Sequence, residues 1–220
     1  MSNHKTEYLA ESGHWYDYKG NPQYEILGKN GKLRPTTLRD ARKLFYVPSV
    51  TGIIGVAAKP GLENWKIDQG ISAALTLERL ANENDYEFLA RVKADSKEQG
   101  MKAAEIGTFI HADIEKGFNG FENKTYRAVR NHIDTIFPNE MWIAEGSFCH
   151  TLAYGGKIDL YSESGIFIDF KTKDNLEGKK ASSLVYDEHG MQLSSYALGI
   201  GIVNPTRVSV FIDRSNTELI

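Results

Sequence analysis

Asp159, Asp169 and Lys171 fall inside a run that otherwise reads as a hydrophobic β-hairpin, GGKIDLYSESGIFIDFKTK over residues 155–173. An uncompensated ion in a buried strand is strongly unfavourable, so three charges there need a chemical reason. Strand side chains alternate between faces. Ile166, Ile168 and Phe170 then share one face, with Phe167, Asp169 and Lys171 on the other. In the preceding strand Ile158 and Leu160 share a face, opposite Lys157, Asp159 and Tyr161. A three-residue loop at 163–165 sets Asp159 directly across from Asp169. One face of the hairpin is then apolar, fit to pack under a helix, and the other carries two carboxylates with a lysine one step further along.

Two carboxylates at cross-strand distance repel each other unless a proton or cation lies between them. Oxygen ligands suit a hard divalent cation such as magnesium, calcium or manganese. Such an ion generates hydroxide near neutral pH and polarises a phosphoryl oxygen. A neighbouring lysine can orient a water or offset charge building on a phosphate. The hairpin reads as a site for cutting phosphodiesters; the plainer alternative is a structural Asp–Lys pair in a half-exposed strand. Glycines at 155 and 156 leave room for a close approach and favour the chemical reading.

Two helical constellations add candidates. Gln192 and Tyr196 are four residues apart and face the same way, as do Gly107, His111 and Glu115 beside a stripe of Ile106, Ile110 and Ile114. Taken alone, His111 reads as a core histidine, Glu115 as helix surface, and the Gln–Tyr pair as ordinary helix residues. The single cysteine, Cys149, rules out an internal disulfide, a four-cysteine zinc site and a cysteine-ligated iron–sulfur cluster. It reads as an inert buried thiol, with His150 on the opposite face of its strand.

Periodicity and punctuation supply the elements that must hold these residues. A hairpin is expected over about 14–27 around Lys19-Gly20-Asn21-Pro22. Ser49 is a plausible cap for a helix from Val50 to Ala57, which Pro60-Gly61 breaks before another begins over 62–80. Long helices follow at about 85–118, stopped by Gly117 and Gly120, and at about 124–137. Strands are expected at 141–149, 154–161, 165–172 and 206–213, with a helix over about 189–202 before the last. A helical N-terminal half followed by β-β-β-α-β implies one α/β domain, a mixed sheet flanked by helices with a helical N-terminal elaboration. Residues 1–47, a hairpin and a basic segment, are read as part of the same domain as the core at 48–220.

The 220 residues carry a formal net charge of −3 and a composition of 41% hydrophobic and 25% charged residues, which excludes a disordered or fibrous chain. No apolar run nears the roughly 20 residues that span a bilayer. The opening MSNHKTEYLAESG has no signal-peptide core, so a cytoplasmic protein is expected. With this net charge, nucleic acid would be held through a local patch. Residues 29–43 offer one, with Lys29, Lys32, Arg34, Arg39, Arg42 and Lys43 against only Asp40. A solvated basic face is the alternative.

Together these pieces resemble the PD-(D/E)XK nuclease superfamily, specifically its RecB-like exonuclease branch and phage-type members. Gly107-Thr108-Phe109-Ile110-His111 is similar to the branch's histidine motif, and Glu145 to its acidic residue before the hairpin. Gly156-Lys157-Ile158-Asp159 and Asp169-Phe170-Lys171 are similar to the two catalytic motifs, and Gln192 to Tyr196 to the closing Q-x-x-x-Y helix. Pro48-Ser49-Val50-Thr51 resembles a serine motif found near the start. Each motif is short, but five stand in the family's order over about 48–200. The resemblance implies a restriction-endonuclease-like fold and a divalent-metal-dependent deoxyribonuclease using Mg2+ or Mn2+, active on single- or double-stranded DNA in phage or bacterial replication, recombination or degradation. It further implies that Asp159, Asp169 and the backbone carbonyl of Phe170 hold one metal, with His111 completing this site or a neighbouring one. Lys171 would position the attacking water. Gln192 and Tyr196 would orient Lys171 or contact DNA, and Glu145 would be a supporting or metal-linked acid. The basic stretch would grip phosphates outside the site.

Isoleucine stands where the family's pattern has proline before Asp159. The single cysteine excludes the iron–sulfur cluster of some relatives, and no G-x-x-x-x-G-K-[ST] loop marks a fused helicase. Relatives continue into a further helix, so a chain stopping at Ile220 is expected to be a trimmed or minimal member. The histidine motif favours an exonuclease; a structure-specific endonuclease or nickase with the same site is the nearest rival. A non-catalytic DNA-binding module would be expected to have lost an acid or the lysine. A glycosidase has no use for Lys171 or His111.

Overall fold

The computed structural model describes residues 14–57 and 60–220. The opening segment read for a signal sequence lies outside the described residues. Among the described residues, eight strands and six α-helices make up an α/β arrangement: Trp15–Tyr16 (β1), Glu25–Leu27 (β2), Leu33–Pro35 (β3), Leu38–Leu44 (α1), Val47–Pro48 (β4), Val50–Ile54 (α2), Pro60–Thr76 (α3), Asp85–Phe118 (α4), Lys124–Ile136 (α5), Trp142–His150 (β5), Tyr154–Ser162 (β6), Ile166–Lys173 (β7), Asp187–Gly199 (α6) and Thr206–Asp213 (β8). Among the described residues no helix is long and apolar enough to cross a membrane.

The N-terminal strands depart from expectation. The turn at Lys19–Pro22 forms, with Asp17 accepting bonds from the Lys19 and Asn21 amides at 2.9 Å. Its flanks do not extend into a hairpin over 14–27. Beyond a single Tyr16–Pro22 bridge, β1 pairs with β4. The chain then turns away from β1: the Tyr24 carbonyl accepts from the Thr36 amide at 2.8 Å, which draws this segment toward β3. The hairpin forms one step later, between β2 and β3.

Helix boundaries follow local chemistry. Ser49 caps α2 through a bond from the Gly52 amide at 2.9 Å, but the helix ends at Ile54, short of Ala57. Pro60 does not break a helix; it opens α3, where its missing N–H would find no intrahelical partner anyway. Asn84 and Glu87 form the capping box of α4. Gly117 stays inside α4, and the chain leaves the helix at Asn119 and Gly120, the latter at φ +95°.

The main sheet has the order β5-β6-β7-β8, antiparallel for the first two pairings and parallel for the last. Helices α4 and α5 cover one face. Ile110, Ile114, Val129 and Ile133 there meet Leu160, Ile166, Ile168, Phe170, Val210 and Ile212. On the opposite face Leu193, Tyr196 and Ala197 of α6 pack with Val50, Phe148, Ile158 and Phe167. Side chains buried this fully contribute about 1.5–3 kcal/mol each relative to exposure, which anchors both helix layers on the strands that carry the charged residues.

Candidate active site

The sheet forks where the two aspartates stand. Strand β6 pairs with β7 at only two positions, Leu160–Ile168 and Tyr161–Phe167. The next pair in that register would be Asp159 with Asp169, as the hairpin reading expects, but backbone pairing stops one residue short. Strand β7 goes on pairing with β8 as far as Lys173, while β6 goes on with β5. Glu145, opposite Asp159 in β5, is also skipped by the ladder and sits at φ +58°. A non-glycine residue in that region carries roughly 1–3 kcal/mol of strain.

This break corrects one expectation. Ile158 and Leu160 do not share a face: Leu160 packs beneath α4 and α5, and Ile158 beneath α6. Strand β5 changes face at the same level, with Ala144 on the α4–α5 side and Phe148 on the α6 side. Uninterrupted alternation cannot produce that, whereas an unpaired residue in each strand does.

The splayed strands leave the Phe170 amide without a strand partner, and it donates to Asp159 Oδ2 at 2.9 Å. From α4, His111 Nδ1 lies 3.6 Å from the same oxygen, with its ring edge-on to Phe170. Helix α4 comes close to β7 at Gly107, where a Cβ would lie 2.9 Å from Thr172 Oγ1. Asp169 is 2% exposed and faces α6. Lys171 Nζ lies 2.8 Å from its Oδ2, and Gln192 Nε2 donates to its Oδ1 at 2.8 Å. Burial raises the Asp169 carboxyl to about 6; Lys171 opposes that shift, and Asp159 reinforces it.

Gln192 acts as a junction. Its Oε1 accepts from Lys171 at 3.2 Å, while its Nε2 also donates to the Tyr196 hydroxyl at 2.8 Å. Spaced one helical turn apart on α6, the two residues form a single polar strut under the fork. Gly156 makes room for it, since a Cβ there would stand 2.8 Å from the Tyr196 ring. Burial, with the charges of Asp169 and Asp159, pushes the Tyr196 phenol well above its ordinary value, so it stays neutral while accepting from Gln192.

Asp159, Asp169, Phe170, Lys171, His111, Gln192 and Tyr196 are thus brought together. Glu145 stands beside them, ion-paired with Lys157. Burial pushes the Glu145 carboxyl up against the pull of that lysine, and both Asp159 and Glu115 add to the shift. The sequence reading places Lys157 on the Asp159 face and in the Gly-Lys-Ile-Asp run but does not pair it with Glu145. The β5–β6 register, which sets Lys157 opposite Ser147 and close to Glu145, was the signal available.

The basic stretch lies elsewhere. Lys29, Lys32, Arg39, Arg42 and Lys43 are exposed along the β2–β3 hairpin and α1. Arg34 differs: its guanidinium grips Asp40 with bonds of 2.6 and 2.9 Å, and Asp40 also caps α1. A cleft of about 610 Å3 opens instead beside Lys171 and Gln192, walled by α3 and α4, the end of β7 and the start of α6. None of the six basic residues lines it. Trp65 and Tyr186, which do, come from segments that carried no functional expectation.

The donors around the fork suit a hard divalent cation. Among the described residues no three His, Cys, Asp or Glu side chains form a metal-holding cluster. Magnesium, however, keeps several waters and is characteristically bound through one or two carboxylates plus substrate phosphate. Two aspartates in adjacent register meet that requirement, and the Lys171 ammonium against Asp169 occupies the place of a counter-cation. No family model matches the chain, and no curated protein matches it significantly.

Proposed function

We propose that this chain is a divalent-metal-dependent deoxyribonuclease of the PD-(D/E)XK type with a restriction-endonuclease-like core, working as an exonuclease of the RecB-like kind. The observation that carries the reading is the fork. Asp159 and Asp169 stand at the next register position, where the β6–β7 pairing stops, with Lys171 held between Asp169 and Gln192. The strand order, with its two antiparallel pairings, one parallel pairing and helices on both faces, supports the same reading.

Asp159, Asp169 and the Phe170 carbonyl would hold Mg2+ or Mn2+, with His111 at the α4 side. The ion, when bound, would lower the pKa of a coordinated water and offset charge on the scissile phosphate. The protein's own part is orientation and charge. With Asp169 compensated by a cation, Lys171 would be released from that ion pair and would point its ammonium at the developing charge on the phosphate and at the attacking water. Gln192 keeps the lysine in register during that change, through an amide whose other end stays bonded to Tyr196. His111, next to Asp159, limits the directions that carboxylate can take.

The test is cleavage of linear single- and double-stranded DNA, labelled at either end, beside a closed circle, in magnesium, manganese or EDTA. Metal-dependent loss of the linear substrates with the circle spared, absent in Asp169→Asn, is the expected result. Cutting of the circle would instead indicate the endonuclease. DNA binding without any cleavage would leave a binding module and remove the catalytic reading.

A further inference from the structure

The cleft beside the fork differs in character from the rest of the molecule. The chain as a whole carries a net charge of −3, yet the cleft is lined by four basic side chains, Lys171, Lys173, Lys179 and Arg214, against the acids Asp174 and Glu188. Arg214 is already clamped on Asp174. The Lys173 ammonium is pulled down by burial and by the neighbouring cations Arg214 and Lys171, the surroundings in which an added anion is favourable.

Two aromatic rings stand among these charges. Trp65 on α3 is half-buried, with its indole alongside Gly100, where a Cβ would make only ordinary contact at 3.7 Å. Tyr186, just before α6, has the Lys173 ammonium 5.2 Å from its ring centroid. Aromatic faces interleaved with cations hold unpaired bases and their phosphates, because a ring can stack on any base. In a duplex the base faces are already stacked on each other and closed to side chains.

We propose that this cleft seats the unpaired end of a single DNA strand, with Trp65 and Tyr186 stacking on its bases and Lys173 and Lys179 meeting its phosphates. The inference rests on the nuclease reading for its substrate class, and it assigns the strand's approach to the fork, from the α3–α4 side toward Lys171.

Binding measured in EDTA separates it from catalysis. A fluorescently labelled short single-stranded oligodeoxynucleotide of mixed sequence and a blunt duplex of the same length are titrated with the full chain, with Trp65→Ala and with Lys179→Gln. Trp65→Ala is expected to weaken single-strand binding roughly fivefold or more while changing duplex binding by less than about twofold. Lys179→Gln, at an exposed position, should flatten the salt dependence of single-strand binding by about 0.7 in log–log slope. Should Trp65→Ala fail to fold by circular dichroism, Tyr186→Leu and the Lys179→Gln slope decide. The inference is overturned if the wild-type chain binds no single strand. It is equally overturned if the folded variants bind it unchanged, or if the duplex suffers the same loss. Cleavage with unaltered binding would keep the nuclease and remove the cleft; altered binding in a chain that never cleaves would do the reverse.

Discussion

Asp169 on β7 and Asp213 at the end of β8 are each 2% exposed, on neighbouring parallel strands, yet their surroundings push them in opposite directions. Asp213 accepts from the Leu176 amide at 2.8 Å, the Ser215 amide and hydroxyl at 2.8 and 2.6 Å, and the Asn216 amide at 3.3 Å. Those donors, the Ser215 hydroxyl foremost, hold its carboxyl down at about 2. Asp169 has one lysine, one amide and a like-charged neighbour, and burial raises it to about 6. Burial therefore does not by itself mark a functional acid. Asp213 is an ionised carboxylate fully answered by fixed donors, and it ties the residues after β8 to those after β7. Asp169 is an acid whose charge the fold leaves partly unanswered, the condition in which a bound cation gains most.

The contrast makes its largest prediction for activity. Asp169→Asn should lower metal-dependent cleavage roughly a thousandfold or more, the upper end of what losing one electrostatic contact costs an active site. In EDTA its unfolding free energy should stay within about 1 kcal/mol of wild type, because the amide keeps the shape and the Gln192 bond and removes a charge whose burial cost exceeds what Lys171 returns. A loss of several kcal/mol in a urea titration would make Asp169 a structural acid like Asp213. Asp213→Ala should show the converse, a loss of about 3 kcal/mol from stranded buried amides. Cleavage per folded molecule should change by no more than about twofold, measured beside the same urea curves.

The opposed shifts also predict opposed pH dependences. The folded carboxyl of Asp213 lies below its ordinary value of 3.8, so its stabilisation is complete above about pH 4 and disappears as pH falls through about 2. The stability gap between wild type and Asp213→Asn should close over that window. The folded carboxyl of Asp169 lies above 3.8, so the metal-free native state binds more protons than the unfolded chain between about pH 4 and 6. Wild type in EDTA should therefore lose stability relative to Asp169→Asn as pH rises through that range. Parallel curves for the two pairs of proteins would undo the comparison. The smallest effect belongs to charges that are neither buried nor paired. Lys32→Gln should move stability by less than about 0.5 kcal/mol and flatten the salt dependence of duplex binding by about 0.9 in slope if it meets a phosphate; an unchanged slope would make the basic stretch a solvated face.

Much of this architecture is legible in the residues. The boundaries of α4, the four main strands and the 159–169 register follow from periodicity and turn chemistry, because each is a local property. The Gln192–Tyr196 strut follows from helical spacing. The fork does not, since nothing in Glu145 or Asp159 as residue types announces a left-handed backbone or a change of face; those arise where two sheet halves must each reach a different helix layer. The Glu145–Lys157 pair needed the β5–β6 register, and the cleft needed α3, the end of β7 and the start of α6 brought together. Tertiary placement of that kind leaves little mark on any single stretch. The misplaced N-terminal hairpin has a simpler cause, a turn signal whose flanks are claimed by other partners, β1 by β4 and the Tyr24 carbonyl by Thr36.

The two-pair seam between β6 and β7 also gives the site a built-in reporter. In most sheets a strand amide is protected from solvent exchange by a backbone carbonyl, and its exchange rate reports on the whole ladder. The Phe170 amide is protected by the Asp159 side chain instead. Its deuterium uptake is tied to the posture of one carboxylate, so a single backbone resonance reads out, without substrate or turnover, whether the mouth of the fork is drawn together or let go.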